Sequence, residues 1–441
     1  MTKADIIVKA DYVLTMDRDL MLITDGAIAV KYDKIALVGP AEEVAAKYEA
    51  DTVIGGPGKV AFPGLVNTHT HAAMVYFRGL ADDVPLKVWL EGHIWPAEER
   101  WLSTEFVGDA VELACLEMLK AGITVYNDMY FFGDAIAHAT KKAGMRAVVG
   151  AGILDFPSKT AKTADEYFAN AEKFIRDWAG DELIVPAIAP HAPYTCSPDT
   201  MVRARELSGK YHIPMHLHLS ETEWEISEVM SRYGKRPVAL LDSIGVLDEN
   251  VLAAHCVWVE DEEIDILAGK KVGVSHCIES NLKLASGIAP VIKMLKAGVK
   301  VTFGTDGAAS NNDLDILGEM STAARVHKAV SGDPTALNAK QALLMATRWG
   351  AEAIGLGYIT GSLEEGKAAD IVLAGLEKPH LVPLYDIYSH IVYSMNATDI
   401  RTVIVNGKIA LNERKSTTAD ESEILEKARE WGKKISSANT H

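Results

Sequence analysis

The stretch LVNTHTH, residues 65–71, is an apolar run that leads directly into two histidines. In a β-strand, side chains two residues apart point to the same face, so His69 and His71 would converge on one side. Two imidazoles placed in this way can bind one metal ion. A lone H-x-H pair is short and common, however, and also fits two polar residues in a loop after a strand. The rest of the chain has to decide between these interpretations.

Seven more strand-like runs follow in the middle of the chain, and segments with helical spacing separate most of them. The runs are ITVYNDMY, RAVVGAGILD, LIVPAIAPHAPYT, IPMHLHLSE, VLAAHCV, VGVSHCIES and VKVTFGTDGAASN. The segment TEFVGDAVELACLEMLKAG repeats apolar residues at helical spacing and ends at Gly122. Eight strand–helix units predict a (β/α)8 barrel of the TIM type rather than an open sheet. In that architecture the chemistry gathers at the C-terminal ends of the strands.

Polar side chains stand at those strand ends. They are His69 and His71 on strand one, His191 on strand four, His218 and the following Glu221 on strand five, His255 on strand six and Asp306 on strand eight. Taken alone, each residue also has a simple structural interpretation. For example, His255 fits a hydrogen-bonded histidine of the core, and Asp306 fits a turn or helix-capping residue. Together they predict a metal site of imidazole and carboxylate ligands without sulfur, a set that suits zinc and also ferrous iron.

The two ends of the chain differ from the middle. They contain short β-type runs such as DIIVKADYVLTMD and TVIVNGKIAL, separated by turn residues, which predict antiparallel strands. We therefore expect the barrel over residues 61–365. We expect residues 1–60 and 366–441 to form one small β-sandwich domain, the second part ending in a C-terminal helix.

Composition excludes several classes of function. A net charge of −17 argues against a nucleic-acid partner, for which a basic surface is expected. The four cysteines form no C-x-x-C pair, which predicts small buried residues in a reducing compartment rather than a thiolate metal site. No signal peptide and no run of membrane-spanning length are present, so we expect a cytoplasmic protein with no membrane partner. A homo-oligomer is left open.

Longer motifs make the chain resemble the amidohydrolase superfamily, and within it the 5′-methylthioadenosine/S-adenosylhomocysteine deaminases. The motifs are PGLVNTHTH, FRGLADD, WLEGHIWPAE, APHAPYTCS, HLSETE, AAHCV, SNLKLASG and GTDGAASNNDLD, which extend over nearly the whole chain. The resemblance implies one divalent metal ion, zinc or ferrous iron, bound by His69, His71, His218 and Asp306. It also implies Glu221 as the catalytic acid/base with His255 as its hydrogen-bonding neighbour, and Glu98 and His191 as nucleoside contacts.

The reaction that this resemblance implies replaces the amino group of an adenine ring by oxygen. It requires a strong nucleophile at neutral pH, which a metal generates from water, and a group that protonates the ring. We expect Glu221 to protonate the ring and His255 to steady the developing charge. We expect Asp306 to move a proton as well as to bind the metal. An alternative interpretation of Glu221 is a residue at the entry of a helix in SETEWE. Trp89 is expected either to contact the sugar or the thioether, or to pack as a buried aromatic side chain that holds its segment in place.

Three local features bear on the ligand set. His216 lies two residues before His218 and competes with it, but the spacing from His218 to Glu221 matches the family. Strand seven reads His276-Cys277-Ile278, where many relatives have His-Asn-Pro. Strand four lacks the lysine with which two-metal relatives bridge their ions, which fits a single metal. The roles of His93, His216 and His276 stay open.

The preferred substrate depends on the end of strand three. This region holds the apolar Ile153, Leu154 and Phe156 and no arginine, although Lys159 and Lys162 follow. We therefore predict a preference for 5′-methylthioadenosine, with adenosine accepted and the charged S-adenosylhomocysteine poorer. The alternative is another amidohydrolase that acts on guanine, cytosine or a chlorotriazine. A non-enzymatic barrel would have lost ligands, and this chain retains all of them.

Overall fold

The computed structural model describes residues 1–438 and contains the predicted barrel. Eight parallel strands follow one another around it in chain order. Their bounds are Leu65–Thr70, Ile123–Tyr130, Arg146–Ile153, Ile184–Pro190, Met215–Leu219, Val251–His255, Gly273–His276 and Lys300–Phe303. All eight runs predicted as strands are therefore confirmed as strands. Parallel order brings their C-terminal ends to one mouth of the barrel.

The first and eighth strands meet through loop and side-chain contacts. The Asp306 backbone N–H donates to the His69 carbonyl oxygen at 3.0 Å, and the Asn67 amide donates to the Thr305 hydroxyl at 2.7 Å. Gly304 permits this approach, because a Cβ there would lie 2.8 Å from the His69 backbone nitrogen. The absence of a side chain at one position thus brings Asp306 beside the two histidines of the first strand.

Helices surround the barrel and cover its mouth. Those between and after the barrel strands are Thr104–Lys120, Gly133–Ala143, Ala164–Asp177, Pro198–Tyr211, Glu223–Tyr233, Pro237–Ser243, Asp261–Gly269, Ile278–Lys283, Val291–Ala297, Ala308–Asn311, Ile316–Ser331, Ala339–Ala346 and Arg348–Ala353. Typical caps set their ends: the Ser103 side chain accepts from the Phe106 N–H, and Gly144 ends a helix in the left-handed conformation. The helix predicted over TEFVGDAVELACLEMLKAG is confirmed.

The connection after the first strand is a chain of short helical segments over the mouth. They are the 3-10 helix Ala72–Phe77, the α-helix Leu86–Trp89, the π-helical turn Leu90–Ile94 and the α-helix Trp95–Trp101. Trp89 and Ile94 are buried, so this segment packs inward rather than extending into solvent. It places Glu98 above the strand ends.

Both ends of the chain join in one sheet, as the turn-rich runs predict. Its strands, in sequence order, are Ile6–Leu14, Leu22–Lys31, Lys34–Pro40, Thr52–Pro63, Ile371–Gly375, Ile400–Val405, Lys408–Asn412 and Lys415–Ser416. The two chain ends meet where Ile371 pairs with Pro63. One pairing differs from expectation: Ile6–Leu14 and Thr52–Pro63 run parallel, because helix Ala41–Lys47 lies on the connection between them and returns the chain in the same direction.

The remaining elements attach to these two parts. They are the short pair Thr2–Lys3 with Tyr48–Glu49, the 3-10 helices Pro379–Leu381 and Ala397–Asp399, the helix Ile387–Tyr393 and the C-terminal helix Glu421–Ala438. The last contacts the barrel, since the Trp431 indole N–H donates to Asp109 at 3.1 Å. The domain boundary predicted at residue 60 falls within strand Thr52–Pro63 and stays a prediction. Within residues 1–438, no helix is long and apolar enough to cross a bilayer.

Candidate active site

Three histidines from two strands converge at the barrel mouth. One ring nitrogen from each of His69, His71 and His218 lies within 4.8 Å of the other two. The Nε2 atoms of His71 and His218 are 3.2 Å apart. His69 lies in the first barrel strand and His71 directly after its end at Thr70, and the two rings lie together as predicted, with His218 facing them from the fifth strand. The structure therefore brings together the histidines proposed from the motifs.

Hydrogen bonds on the far side of each ring orient these histidines. Nδ1 of His71 contacts the Met129 carbonyl oxygen at 2.5 Å, and Nδ1 of His218 contacts the His191 carbonyl oxygen at 2.8 Å. A carbonyl accepts only from N–H, so both rings carry their proton on Nδ1 and direct the Nε2 lone pair into the site. Nε2 of His69 is buried and has no hydrogen-bond partner in the described chain.

Asp306 completes a set of four donor atoms. Its Oδ1 lies 3.4 Å from His69 Nε2 and 3.3 Å from His71 Nε2. Its Oδ2 accepts from the hydroxyls of Ser280 and Ser310 at 2.7 and 2.9 Å. The backbone of Asp306 has a φ of 58°, which a non-glycine residue adopts only when its surroundings hold it there. The surrounding contacts therefore fix the direction of this carboxylate.

The four donors fit a divalent metal ion of the zinc type. In a tetrahedral site with bonds of about 2.1 Å, neighbouring ligand atoms lie about 3.4 Å apart, close to the 3.2 Å between His71 and His218 and to the 3.4 and 3.3 Å from Asp306 to His69 and His71. Burial lowers the pKa of His69 to about 4, so the ring is neutral at pH 7, the state in which imidazole binds metal. The partnerless Nε2 of His69 is the atom that such an ion would satisfy.

A second cluster, formed by His69, His255 and Cys277, suits a metal less well. One ligand atom of each lies within 4.8 Å of the others. Burial raises the pKa of the Cys277 thiol well above its usual range, and the thiolate rather than the thiol binds metal. All four cysteines are buried and without disulfides, as predicted.

An acid and an imidazole lie beside the four donors. His255 Nε2 is 3.8 Å from Glu221 Oε2, and His255 Nδ1 contacts the Asn281 side-chain oxygen at 2.9 Å. Burial raises the pKa of Glu221. Burial alone would lower the pKa of His255, but the nearby carboxylates of Glu221 and Asp306 outweigh it and raise that pKa. At 3.8 Å these two side chains are neighbours but are not hydrogen-bonded to each other, unlike the contact expected from the resemblance.

A buried carboxylate supports the turn that carries Glu221. Glu225 accepts from the backbone N–H groups of Ser220 and Glu221 at 2.8 and 2.9 Å. Ser220 has a φ of 52°, so the turn is strained and needs this bracing. Glu221 is therefore placed by the start of the helix that follows it, which reconciles its two interpretations: it lies at a helix entry and also faces the site.

Three of the four donor residues, His71, His218 and Asp306, line a cavity of about 390 Å³, and His69 lies buried behind them. The other predicted contacts line its walls: Glu98, Trp89 and His191. Glu98 accepts from the Tyr130 hydroxyl at 2.7 Å, and burial raises its pKa to about 7 although this hydrogen bond lowers it. Burial lowers the pKa of His191 to about 3, so its ring is neutral. All the predicted site residues except the buried His69 thus line one cavity.

The family assignment rests on most of the chain. Residues 60–410 match the model of the Amidohydrolase family. The chain belongs to this family. The family is metal-dependent, so a cluster of four metal-type donors agrees with the assignment.

Several proteins with related sequences or structures carry names of adenosine-type deaminases. A 5-methylthioadenosine/S-adenosylhomocysteine deaminase of Thermodesulfovibrio yellowstonii is 54% identical over 97% of this chain and 98% of that protein. A 5′-deoxyadenosine deaminase of Methanosarcina acetivorans is 47% identical over 97% of each. Among solved structures, an adenosine deaminase from Xanthomonas campestris with bound zinc superimposes with a TM-score of 0.97. It is 40% identical and aligned over 99% of both chains.

The structure also shows where the three histidines lie whose roles the sequence left open. Nε2 of His216 lies 2.8 Å from Nδ1 of His69, so it sits behind that ring and not among the four donors. His276 pairs with His327 at 2.9 Å inside the protein. His93 is exposed and is not among the residues that line the cavity.

Several residues of this site were not predicted from sequence. They are Asn281, Ser280, Ser310, Glu225 and Tyr130, all of which hold another site residue by a hydrogen bond. Ser280 and Asn281 open the motif SNLKLASG, which had no role attached, so this motif was the available signal. The contact between Tyr130 and Glu98 joins two distant segments and left no local pattern.

Proposed function

We propose that this amidohydrolase removes the adenine amino group of a 5′-modified adenosine, 5′-methylthioadenosine above all, yielding the inosine derivative and ammonia. One observation carries the proposal. A cluster of four metal-type donors, three of which line one cavity, lies beside an acid–imidazole pair and a separate buried carboxylate suited to a ribose in the same cavity. This arrangement provides one place for the reacting ring and another for the sugar.

His69, His71, His218 and Asp306 would hold one divalent ion, with zinc as our choice. Three neutral imidazoles and one carboxylate are a zinc-type set. When bound there, the ion supplies a strong nucleophile from water at neutral pH. His71 and His218 keep their Nε2 lone pairs directed at it because their Nδ1 protons are donated to backbone carbonyls.

Two carboxylates whose pKa values are shifted in opposite directions would carry the two proton transfers. Burial raises the pKa of Glu221, which favours its protonated form. Burial would also raise the pKa of Asp306, but His69 and the other imidazoles outweigh it and hold that pKa well below its usual value. Environments that push two pKa values apart identify an acid and a base. Glu221 therefore donates to purine N1, and Asp306 receives a proton.

The proton balance follows from these roles. Water adds to C6 and the C6–amino bond breaks, so water supplies two protons over the cycle. One reaches N1 through Glu221, and the other reaches the departing amino group through Asp306. His255, held by Asn281 at 2.9 Å, lines the same cavity and would steady the negative charge that develops at C6.

The walls of the cavity would select the nucleoside. Glu98 accepts the ribose hydroxyls, His191 contacts a purine nitrogen, and Trp89 packs against the sugar or its 5′ substituent. Ile153, Leu154 and Phe156 line the same cavity, and they suit a methylthio group. Lys159 and Lys162 also line it, but the Lys162 ammonium already donates to the Ser158 carbonyl at 2.9 Å. We therefore place S-adenosylhomocysteine below methylthioadenosine and adenosine.

The test is ammonia release by the purified protein. We would compare kcat/KM for 5′-methylthioadenosine, 5′-deoxyadenosine, adenosine, S-adenosylhomocysteine, guanine and cytosine at one pH and salt concentration. We expect methylthioadenosine to be best, adenosine to be accepted and the free bases to be inert. Turnover of guanine or cytosine without turnover of any nucleoside would refute the proposed function. S-Adenosylhomocysteine as the best substrate would refute only the ranking.

A further inference from the structure

A tyrosine at the end of the second barrel strand contacts the carboxylate in the helix above the mouth. The Tyr130 hydroxyl donates to Glu98 Oε1 at 2.7 Å, and both side chains are buried. Tyr130 is the last residue of its strand, and Glu98 lies in the helix Trp95–Trp101. We propose that Tyr130 is a positioning residue that aims the Glu98 carboxylate at the ribose hydroxyls of the substrate. This inference rests on the proposed nucleoside deaminase function.

The chemistry of the pair supports an acceptor role for Glu98. Burial, together with the Glu98 carboxylate beside it, raises the pKa of Tyr130 well above its usual value, so the phenol keeps its proton and remains a donor. A carboxylate can accept about four hydrogen bonds, so one bond from Tyr130 leaves acceptor positions for two ribose hydroxyls. A hydrogen bond to one oxygen also fixes the plane of the carboxylate. The helix alone would leave that rotation open.

The position of Tyr130 makes the contact rigid. It belongs to a strand that is buried along its whole length, and its ring lies 6.3 Å from the ring of His71. The hydrogen bond therefore fixes the position of the Glu98 carboxylate relative to the barrel wall that carries the metal-type donors. A ribose held by Glu98 would in turn place its purine at a set distance above those donors, which is what an oriented reaction requires.

A competing explanation is purely structural. The same hydrogen bond ties the helix Trp95–Trp101 to the barrel, and its loss could loosen the whole cover of the mouth. The two explanations differ in what they predict for a substrate without ribose hydroxyls. A positioning role affects only nucleosides that contact Glu98, whereas a loosened cover affects every nucleoside alike.

The experiment uses Tyr130→Phe in the full-length, metal-loaded protein. We would measure kcat and KM for adenosine and for 2′,3′-dideoxyadenosine, with metal content and Tm as checks on the fold. We expect the ratio of kcat/KM between adenosine and the dideoxy analogue to fall about tenfold, the size of one hydrogen bond to a charged group. The loss should appear mainly in KM for adenosine, with kcat changed by less than about twofold.

Two further variants sharpen the result. Tyr126→Phe is the matched control, because Tyr126 lies in the same strand but its hydroxyl bonds to Thr140 away from the cavity. Its ratio should equal that of the wild type. In a Glu98→Ala background, Tyr130→Phe should change the ratio no further, since the partner is gone.

The outcomes separate the inference from the function on which it rests. An unchanged ratio in Tyr130→Phe, or an equal loss for both nucleosides, overturns the positioning role while leaving deamination intact. If the wild type releases ammonia from no nucleoside, the proposed function fails and the inference fails with it.

Discussion

The two ends of the barrel both bury charged groups, but they treat them differently. At the base, Arg146 donates to the Glu182 carbonyl at 2.6 Å and to the Asn406 side chain at 2.8 Å, and its Nε lies 3.5 Å from Asp370. The Asn406 N–H donates to the second oxygen of Asp370 at 2.7 Å. These polar groups find their partners within the protein. They join the start of the third barrel strand to the sheet formed by the chain ends.

At the mouth, by contrast, some buried polar atoms have no hydrogen-bond partner within residues 1–438. Nε2 of His69 is buried without a hydrogen-bond partner among the described residues. One nitrogen of each of three imidazoles lies within 4.8 Å of the others, and a carboxylate oxygen lies 3.4 and 3.3 Å from two of them. Buried polar groups that are fully paired stabilise a fold, whereas buried groups left unpaired require an explanation. We therefore assign the base a structural role and propose that a bound ligand completes the mouth.

The largest effect should come from the donors at the mouth. His218→Ala should remove the metal and abolish ammonia release, because no other side chain occupies its position. His216→Ala should retain metal, since His216 sits behind His69. Metal content and kcat measured on both variants check this pair. Full metal in His218→Ala together with metal loss in His216→Ala would show that the ligand of the fifth strand has been misassigned.

A smaller loss is expected when the acid is changed without touching the donors. Glu221→Gln keeps the shape and the metal but cannot give a proton to the purine. Loss of a general acid typically costs about 100- to 10,000-fold in rate, so kcat should fall within that range. KM and metal content should change little. A kcat near that of the wild type would remove Glu221 from the mechanism.

At the base, the effect should appear in stability and not in chemistry. Arg146→Met leaves Asp370 buried without its cation, which should lower the free energy of unfolding by about 3–5 kcal/mol. Urea unfolding measures this loss, and kcat of the folded fraction should equal that of the wild type. The control is Lys141→Met, which removes the cation of the ion pair with Asp181 near the protein surface. It should lower the free energy of unfolding only slightly. A large fall in kcat in Arg146→Met would show that the two ends of the barrel are coupled.

The smallest effect concerns pH. Burial raises the pKa of Glu98 to about 7, and its ionised form is the one that accepts ribose hydroxyls. As the pH falls through that value the carboxylate gains a proton, so KM for adenosine should rise. Between pH 8 and pH 6 the ionised fraction of a group with this pKa falls about tenfold, which sets the expected change in KM. KM for 2′,3′-dideoxyadenosine should not follow the same curve, and parallel curves would count against a ribose contact.

Sequence reasoning succeeded where the chemistry follows local periodicity. Apolar runs that end in His69, His218, His255 or Asp306 reveal both the barrel strands and the rim on which those side chains stand. The parallel pairing of Ile6–Leu14 with Thr52–Pro63 was missed because strand direction depends on the route of the connection, which alternation does not encode.

Contacts between distant segments were also beyond the sequence. Asn281 against His255, and Tyr130 against Glu98, each join residues from different elements, so no spacing rule applies to them. The choice between His216 and His218 has the same origin. Both lie on one strand face, and only the position of His69 shows which ring points toward the other donors and which lies behind.

The most direct test of the contrast between mouth and base is a metal titration of the chelator-treated protein. We expect this protein to stay folded, because the base and the core do not depend on the ion, and to release no ammonia from 5′-methylthioadenosine. Added zinc should restore the activity in proportion and saturate at one ion per chain. Full activity in protein shown to be metal-free, or saturation only at two ions per chain, would contradict the account.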